Sequence, residues 1–167
     1  RRVLLRGAWR AGGAGGSHLH ASWGANPQFH LFLPPPPAGG PAPPARVLAT
    51  LRLADSDAAR RRARRDPLGG MPGLYLLAPA PENGALGGAL QGAAQRRVPL
   101  GPGERAARCL AETPFSPGAA AALEVELPRA GAPYVLVPAT LEPGRAGAFS
   151  LELSSDAPLF AMQALDD

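Results

Sequence analysis

The chain contains no lysine and no isoleucine, and it has a single cysteine, Cys109. A lone cysteine cannot close an internal disulfide, so nothing points to an oxidising compartment. Without lysine there is no phosphate-binding P-loop. Aromatic residues make up 5% of the chain, too few for a platform on which bases stack. No apolar run approaches the ~20 residues that cross a bilayer, and Val3-Leu4-Leu5 is too short for the core of a signal peptide. The expected class is soluble and cytoplasmic.

What the chain has instead is arginine, alanine, glycine and proline, together more than half of its 167 residues. This composition fits a GC-rich coding bias, so the formal charge of +4 overstates any case for nucleic acid, and none is expected as a partner. The length suits one domain. With 21 glycines and 21 prolines, parts of the chain approach low complexity. Residues 34–44 are dominated by Pro and Gly and predict a loop of polyproline character. Residues 79–95 predict a poorly ordered Gly/Ala stretch.

Between these lie short apolar bursts, the rhythm of an all-β domain. Residues 46–53 alternate, with Val47, Ala49, Leu51 and Leu53 on one face. Leu123, Val125 and Leu127 alternate with Glu124 and Glu126, and Phe149, Leu151 and Leu153 with Ser150 and Glu152, each pattern that of a half-buried strand. Residues 28–33 and 74–78 read as strands. Residues 134–137 are continuously apolar and suit a central strand ended by Pro138. With short segments near Val3 and Val98, about eight strands are expected. Helical character is confined to 56–65 and to the alanine run 119–122. Strands with one polar face must pack face to face or close on themselves. The uneven connections favour an antiparallel β-sandwich with long Pro/Gly-rich loops.

The amino-terminal stretch is distinctive. Trp9 precedes the turn Ala14-Gly15-Gly16, and Asn26-Pro27-Gln28-Phe29 then leads into a strand. Near the other end Tyr134-Val135-Leu136-Val137-Pro138-Ala139-Thr140 is followed by Glu142-Pro143-Gly144 and Gly147-Ala148-Phe149. Between them, residues 47–53 precede an arginine-rich run and Gly73-Leu74-Tyr75. In order and approximate spacing these blocks resemble the C2-like β-sandwich domain, domain III, that follows the protease core in calpains. The resemblance covers about 150 residues.

It implies a division of the chain. Residues 1–8 would be the end of, or a linker from, an upstream protease core, with Trp9 at the seam. Residues 9–155 would be the sandwich and 156–167 a tail or linker. It implies a non-catalytic regulatory domain of a calcium-dependent cysteine endopeptidase, packed on the protease core in cis. The parent's catalytic Cys, His and Asn would lie outside this chain, and calcium would belong to the parent. Conventional calpains carry an acidic loop after the Asn-Pro-Gln strand. Here residues 34–44 contain no acid, so calcium is not expected at that loop, since hard cations need several oxygen ligands. This departure, with the absence of any EF-hand pattern, resembles an atypical calpain. A free-standing C2-like module that binds phospholipid or protein is the alternative.

The residues Trp9, Gly15, Gly16, Asn26, Pro27, Phe29, Tyr134, Pro138 and Phe149 are read as shaping the sandwich. Arg60, Arg61, Arg62, Arg64 and Arg65 are the candidate binding residues, for anionic phospholipid or an acidic protein surface. The plain reading of that run is a solvated loop, partly neutralised by Asp55, Asp57 and Asp66. His18, His20, His30 and Cys109 do not make an expected metal site, and no cofactor is expected. Cys109 lacks a local base, so it is read as an idle thiol. Gly15-Gly16-Ser17-His18 lacks the spacing of a nucleophile elbow. Ser154-Ser155-Asp156 reads as a turn.

Overall fold

A computed structural model describes residues 1–36, 42–54, 65, 70–79, 96–101, 103–129 and 132–165. Of the arginine run only Arg65 falls within them, and it is exposed. The helical pattern at 56–64, the centre of the proline loop and the Gly/Ala stretch 80–95 lie outside the described residues.

Alternation decides the first sheet. β1 (Arg2–Trp9), β3 (Ala45–Leu53), β6 (Ala120–Leu127) and β8 (Gly147–Ser155) each turn one face inward. They pair antiparallel in the order β1-β8-β3-β6. Register is pinned because a slip of one residue would turn Val47, Ala49 and Leu51 out to solvent. The second sheet is built from β2 (Phe29–Phe32), β4 (Pro72–Leu77), β5 (Cys109–Glu112), β7 (Tyr134–Thr140) and β9 (Phe160–Gln163), in the order β5-β4-β7-β2-β9. The result, among the described residues, is an all-β antiparallel sandwich of nine strands. β4 and β7 are buried on both faces, which is why they read as unbroken apolar runs rather than alternations.

The two faces of β4 and β7 feed two cores. Leu74, Leu76, Tyr134 and Leu136 point between the sheets, joining Phe29, Leu31, Leu51, Phe149, Leu151 and Leu153. Tyr75, Leu77, Val135, Val137 and Ala139 point the other way, under a cover that includes Trp23, Val98, Leu100 and Phe115.

Several details depart from the sequence reading. The strand expected near Val3 is present as β1, but it is paired with β8 along its length as part of the sandwich rather than lying outside it as a linker, and 160–163 add β9 at an edge of the second sheet. Trp9, expected at the seam with an upstream core, packs inside the sandwich: it is 2% exposed, its ring centroid lies 4.3 Å from that of Phe149, and its Nε1 donates to the Pro138 carbonyl at 3.1 Å. Pro138 does not end β7, which runs on to Thr140. Its partner Leu74 turns its N–H and carbonyl toward Thr113, away from β7. The missing donor of Pro138 therefore faces the β2 side, where pairing has already stopped at Phe29, and costs no ladder bond.

The alanine run is strand, not helix. Ala120, Ala121 and Ala122 pair with Arg52, Leu51 and Thr50, so tertiary pairing overrides alanine's helix propensity. Ser154 and Ser155 belong to β8, and the bend begins at Asp156. The Val98 segment is not a strand. The Gln28 side chain serves it as one, accepting from the Val98 N–H at 2.8 Å and donating to its carbonyl at 2.8 Å. A five-residue helix, α1 (Glu104–Arg108), stands before β5.

Candidate functional site

The outer face of the second sheet carries a connected group of titratable side chains. It is built on β4 and β5 and roofed by the loop after β1. Period-two geometry turns Tyr75 outward between Leu74 and Leu76. Tyr75 is 1% exposed and its ring is walled by Trp23 and Phe115, with centroids 5.3 and 6.1 Å away. Its hydroxyl meets His18: the His18 backbone N–H donates to it at 3.2 Å and Nδ1 lies 2.9 Å away. Burial pushes the Tyr75 phenol up to about 12, against the opposing pull of the His18 N–H.

Beside this pair, Arg105 on α1 grips Glu112 on β5 with two parallel bonds, Nε–Oε2 at 2.8 Å and a terminal nitrogen to Oε1 at 2.5 Å. The bond from Arg105 holds the Glu112 carboxyl below its ordinary value. His18 is held below its ordinary value, first by burial and then by the charge of Arg105, with Glu112 pulling the other way. The Cys109 thiol sits 3.4 Å from the Ala111 carbonyl and 3.7 Å from Glu112 Oε2. Burial first, and then the neighbouring carboxylate, push the thiol up. An activated nucleophile needs the opposite environment, so this arrangement keeps the sulfur protonated.

Asn26 builds the roof. It is fully buried, accepts from the Gly15 N–H at 3.0 Å, and donates to the carbonyls of Gly16 at 2.7 Å and Trp23 at 3.0 Å. Gly15 is required by close approach, because a Cβ there would lie 2.0 Å from the Ser22 carbonyl oxygen. Gly16 is required by its φ of +76°. Pro27 follows, buried, and delivers the chain to Phe29 on β2.

The motif residues of the sequence reading therefore converge. Trp9, Phe29 and Phe149 form one aromatic group, with Phe29 and Phe149 centroids 6.0 Å apart. The Gly144 N–H donates to Ala14 at 2.7 Å, and the Ser17 N–H to Leu141 at 3.1 Å, tying the two blocks backbone to backbone. The Tyr134 hydroxyl donates to the Pro128 carbonyl at 2.7 Å.

The histidines do not gather with Cys109 into a metal site among the described residues. His20 faces Glu142 at 3.7 Å, and His30 lies buried on β2. The binding role given to Arg60, Arg61, Arg62 and Arg64 lies outside the described residues. The His18–Tyr75–Glu112–Arg105 group was missed by sequence reasoning. Its members come from four separate segments and share no motif; only the strand order brings them together. Among the described residues no helix is long and apolar enough to cross a membrane.

No protein-family model matches the chain, and no curated protein matches it.

Proposed function

We propose that this chain is a non-catalytic regulatory β-sandwich of a calpain-like cysteine endopeptidase. The observation that carries the reading is the corner where the amino-terminal and carboxy-terminal blocks interlock. Trp9 donates to Pro138 and packs at a tilt against Phe149, while Gly144 and Leu141 bond to the Ala14 to Ser17 turn. Two of the three blocks on which the calpain resemblance rests thus meet in one structural joint. Such a joint explains why those residue types occur together without any catalytic task.

In this reading the domain acts through its surfaces. It packs on a protease core in cis, and its arginine run makes electrostatic contacts with that core, with an acidic protein surface or with anionic lipid. Calcium belongs to the parent protease.

The experiment uses the longest reading frame that contains this chain. Thiol-dependent endopeptidase activity is measured on casein with wild type and with Arg60, Arg61, Arg62, Arg64 and Arg65 all changed to Gln. Altered activity or altered liposome binding supports the electrostatic role, and no change in either sinks that role. A reading frame without a Cys, His and Asn protease core sinks the parent assignment.

A further inference from the structure

We propose that copies of this chain associate head to tail, the free edge of β1 on one copy pairing with the free edge of β6 on the next. The proposal does not rest on the protease reading. β1 and β6 are the outer strands of the four-stranded sheet, each eight residues long, and among the described residues no further strand pairs with either.

Three features of these edges match. The first is direction and backbone phase. Along β1-β8-β3-β6 every pair is antiparallel, so β6 of one copy meets β1 of the next antiparallel when the sheet simply continues. Arg1 and Ser155 exchange backbone bonds, so the residues two, four and six places after Arg1 follow suit: Val3, Leu5 and Gly7 bond toward β8. Arg2, Leu4 and Arg6 then turn their N–H and carbonyl groups to the open edge. Just before β6, Ala119 accepts from Leu53, so Ala121, Leu123 and Val125 bond toward β3. Ala122, Glu124 and Glu126 turn theirs outward.

The second is side-chain pairing in the register that joins those free groups. Arg2 falls opposite Glu126, Leu4 opposite Glu124 and Arg6 opposite Ala122. Glu124 then lies diagonally between both arginines, within reach of long side chains. On the inner face Val3 falls opposite Val125 and Leu5 opposite Leu123, continuing the core across the junction. Val3, Leu5 and Val125 are only partly buried now.

The third is charge selectivity. Each edge is of one sign, basic on β1 and acidic on β6, although Arg2 also pairs with Glu152 and Glu124 with Arg46 within the sheet, so those two charges are shared with the new neighbours. β1 against β1 and β6 against β6 set like charges together, which disfavours closed twofold pairs. Only unlike edges attract, and a heterologous contact of this kind propagates rather than closes.

Sedimentation velocity of the whole chain over a concentration series tests this. The expected result is a mean mass that rises with concentration without levelling at a dimer, and that falls with added salt. Leu4→Pro and Ala122→Pro each remove one outward N–H while leaving the inner ladder intact. Each variant alone should form nothing beyond a monomer, and their mixture should stop at a one-to-one dimer. If either proline variant loses its β circular dichroism, the double variant Arg2→Glu/Arg6→Glu decides, with association weakened roughly tenfold or more. A wild type that stays monomeric at every concentration overturns the proposal. So does association that survives both proline variants, or that is lost in Leu4→Pro alone.

Discussion

Leu76 and Leu77 are neighbours on β4, both fully buried, yet they belong to different worlds. Leu76 faces the space between the sheets, where strands lie on both sides and the packing is set by ladders. Leu77 faces outward, under segments with little regular structure: the loop after β1, the 96–101 strap and the stretch after β5. The inner core is held by backbone pairing of whole strands. The outer core is held by particular side chains, namely Asn26, Gln28, Tyr75 and Arg105. A continuous apolar strand thus says only that both faces are covered. It does not say by what.

The contrast is sharpest in a paired truncation. Leu76→Ala leaves a cavity between two rigid sheets and is expected to cost about 4 kcal/mol, near the upper part of the range for such changes. Leu77→Ala lies beneath loops that can settle into the space, so about 2 kcal/mol is expected. Urea unfolding of both variants measures the difference. Equal losses would mean that the outer cover is as stiff as a sheet, and the distinction would fail.

Much of the inner core was legible in the sequence, and most of the outer core was not. Val47, Ala49 and Leu51, and likewise Phe149, Leu151 and Leu153, announce themselves by period two, because one face meets the core and the other meets water. Ala120 and Ala121 give no such signal; only pairing with β3 makes them strand. Pro138 looked like a stop because a proline in a central strand normally loses a ladder bond. Its neighbour β2 has already ended there, and that fact lies more than a hundred residues away in the chain. Tyr75, Cys109 and Glu112 meet because β5 lies beside β4, and His18 reaches them from the loop after β1. The arginine run stood out in the sequence, but all of it except Arg65 lies outside the described residues.

The second largest effect is expected where the outer cover is fastened. Asn26→Ala would strand one buried N–H and remove the donors to two carbonyls, and about 3 kcal/mol is expected from the unmet groups. Asn26→Asp separates geometry from chemistry. It keeps an acceptor for the Gly15 N–H but sets a carboxylate against the Gly16 and Trp23 carbonyls. It should therefore be no better than alanine at neutral pH. Restoration of stability by Asp would show that the Gly15 bond alone fastens the loop, leaving the two carbonyl bonds without weight.

The smallest effect is a pH dependence that only the outer region should show. The His18 imidazole lies below its ordinary value of 6.5 in the folded chain, chiefly through burial and then through Arg105. The unfolded chain then binds a proton that the folded chain refuses, so stability rises with pH across that interval. Its contribution is complete above 6.5 and is lost as the pH falls through the folded value. His18→Gln removes the titrating group, and the difference in urea midpoint between wild type and variant should narrow or reverse from pH 7 toward pH 5. Leu76→Ala serves as the inner-core control, because its loss should be the same at both pH values. If the His18→Gln difference is as flat as that control, the His18–Tyr75 contact opens readily to solvent. The roof over Tyr75 would then be a looser cover than its hydrogen bonds imply.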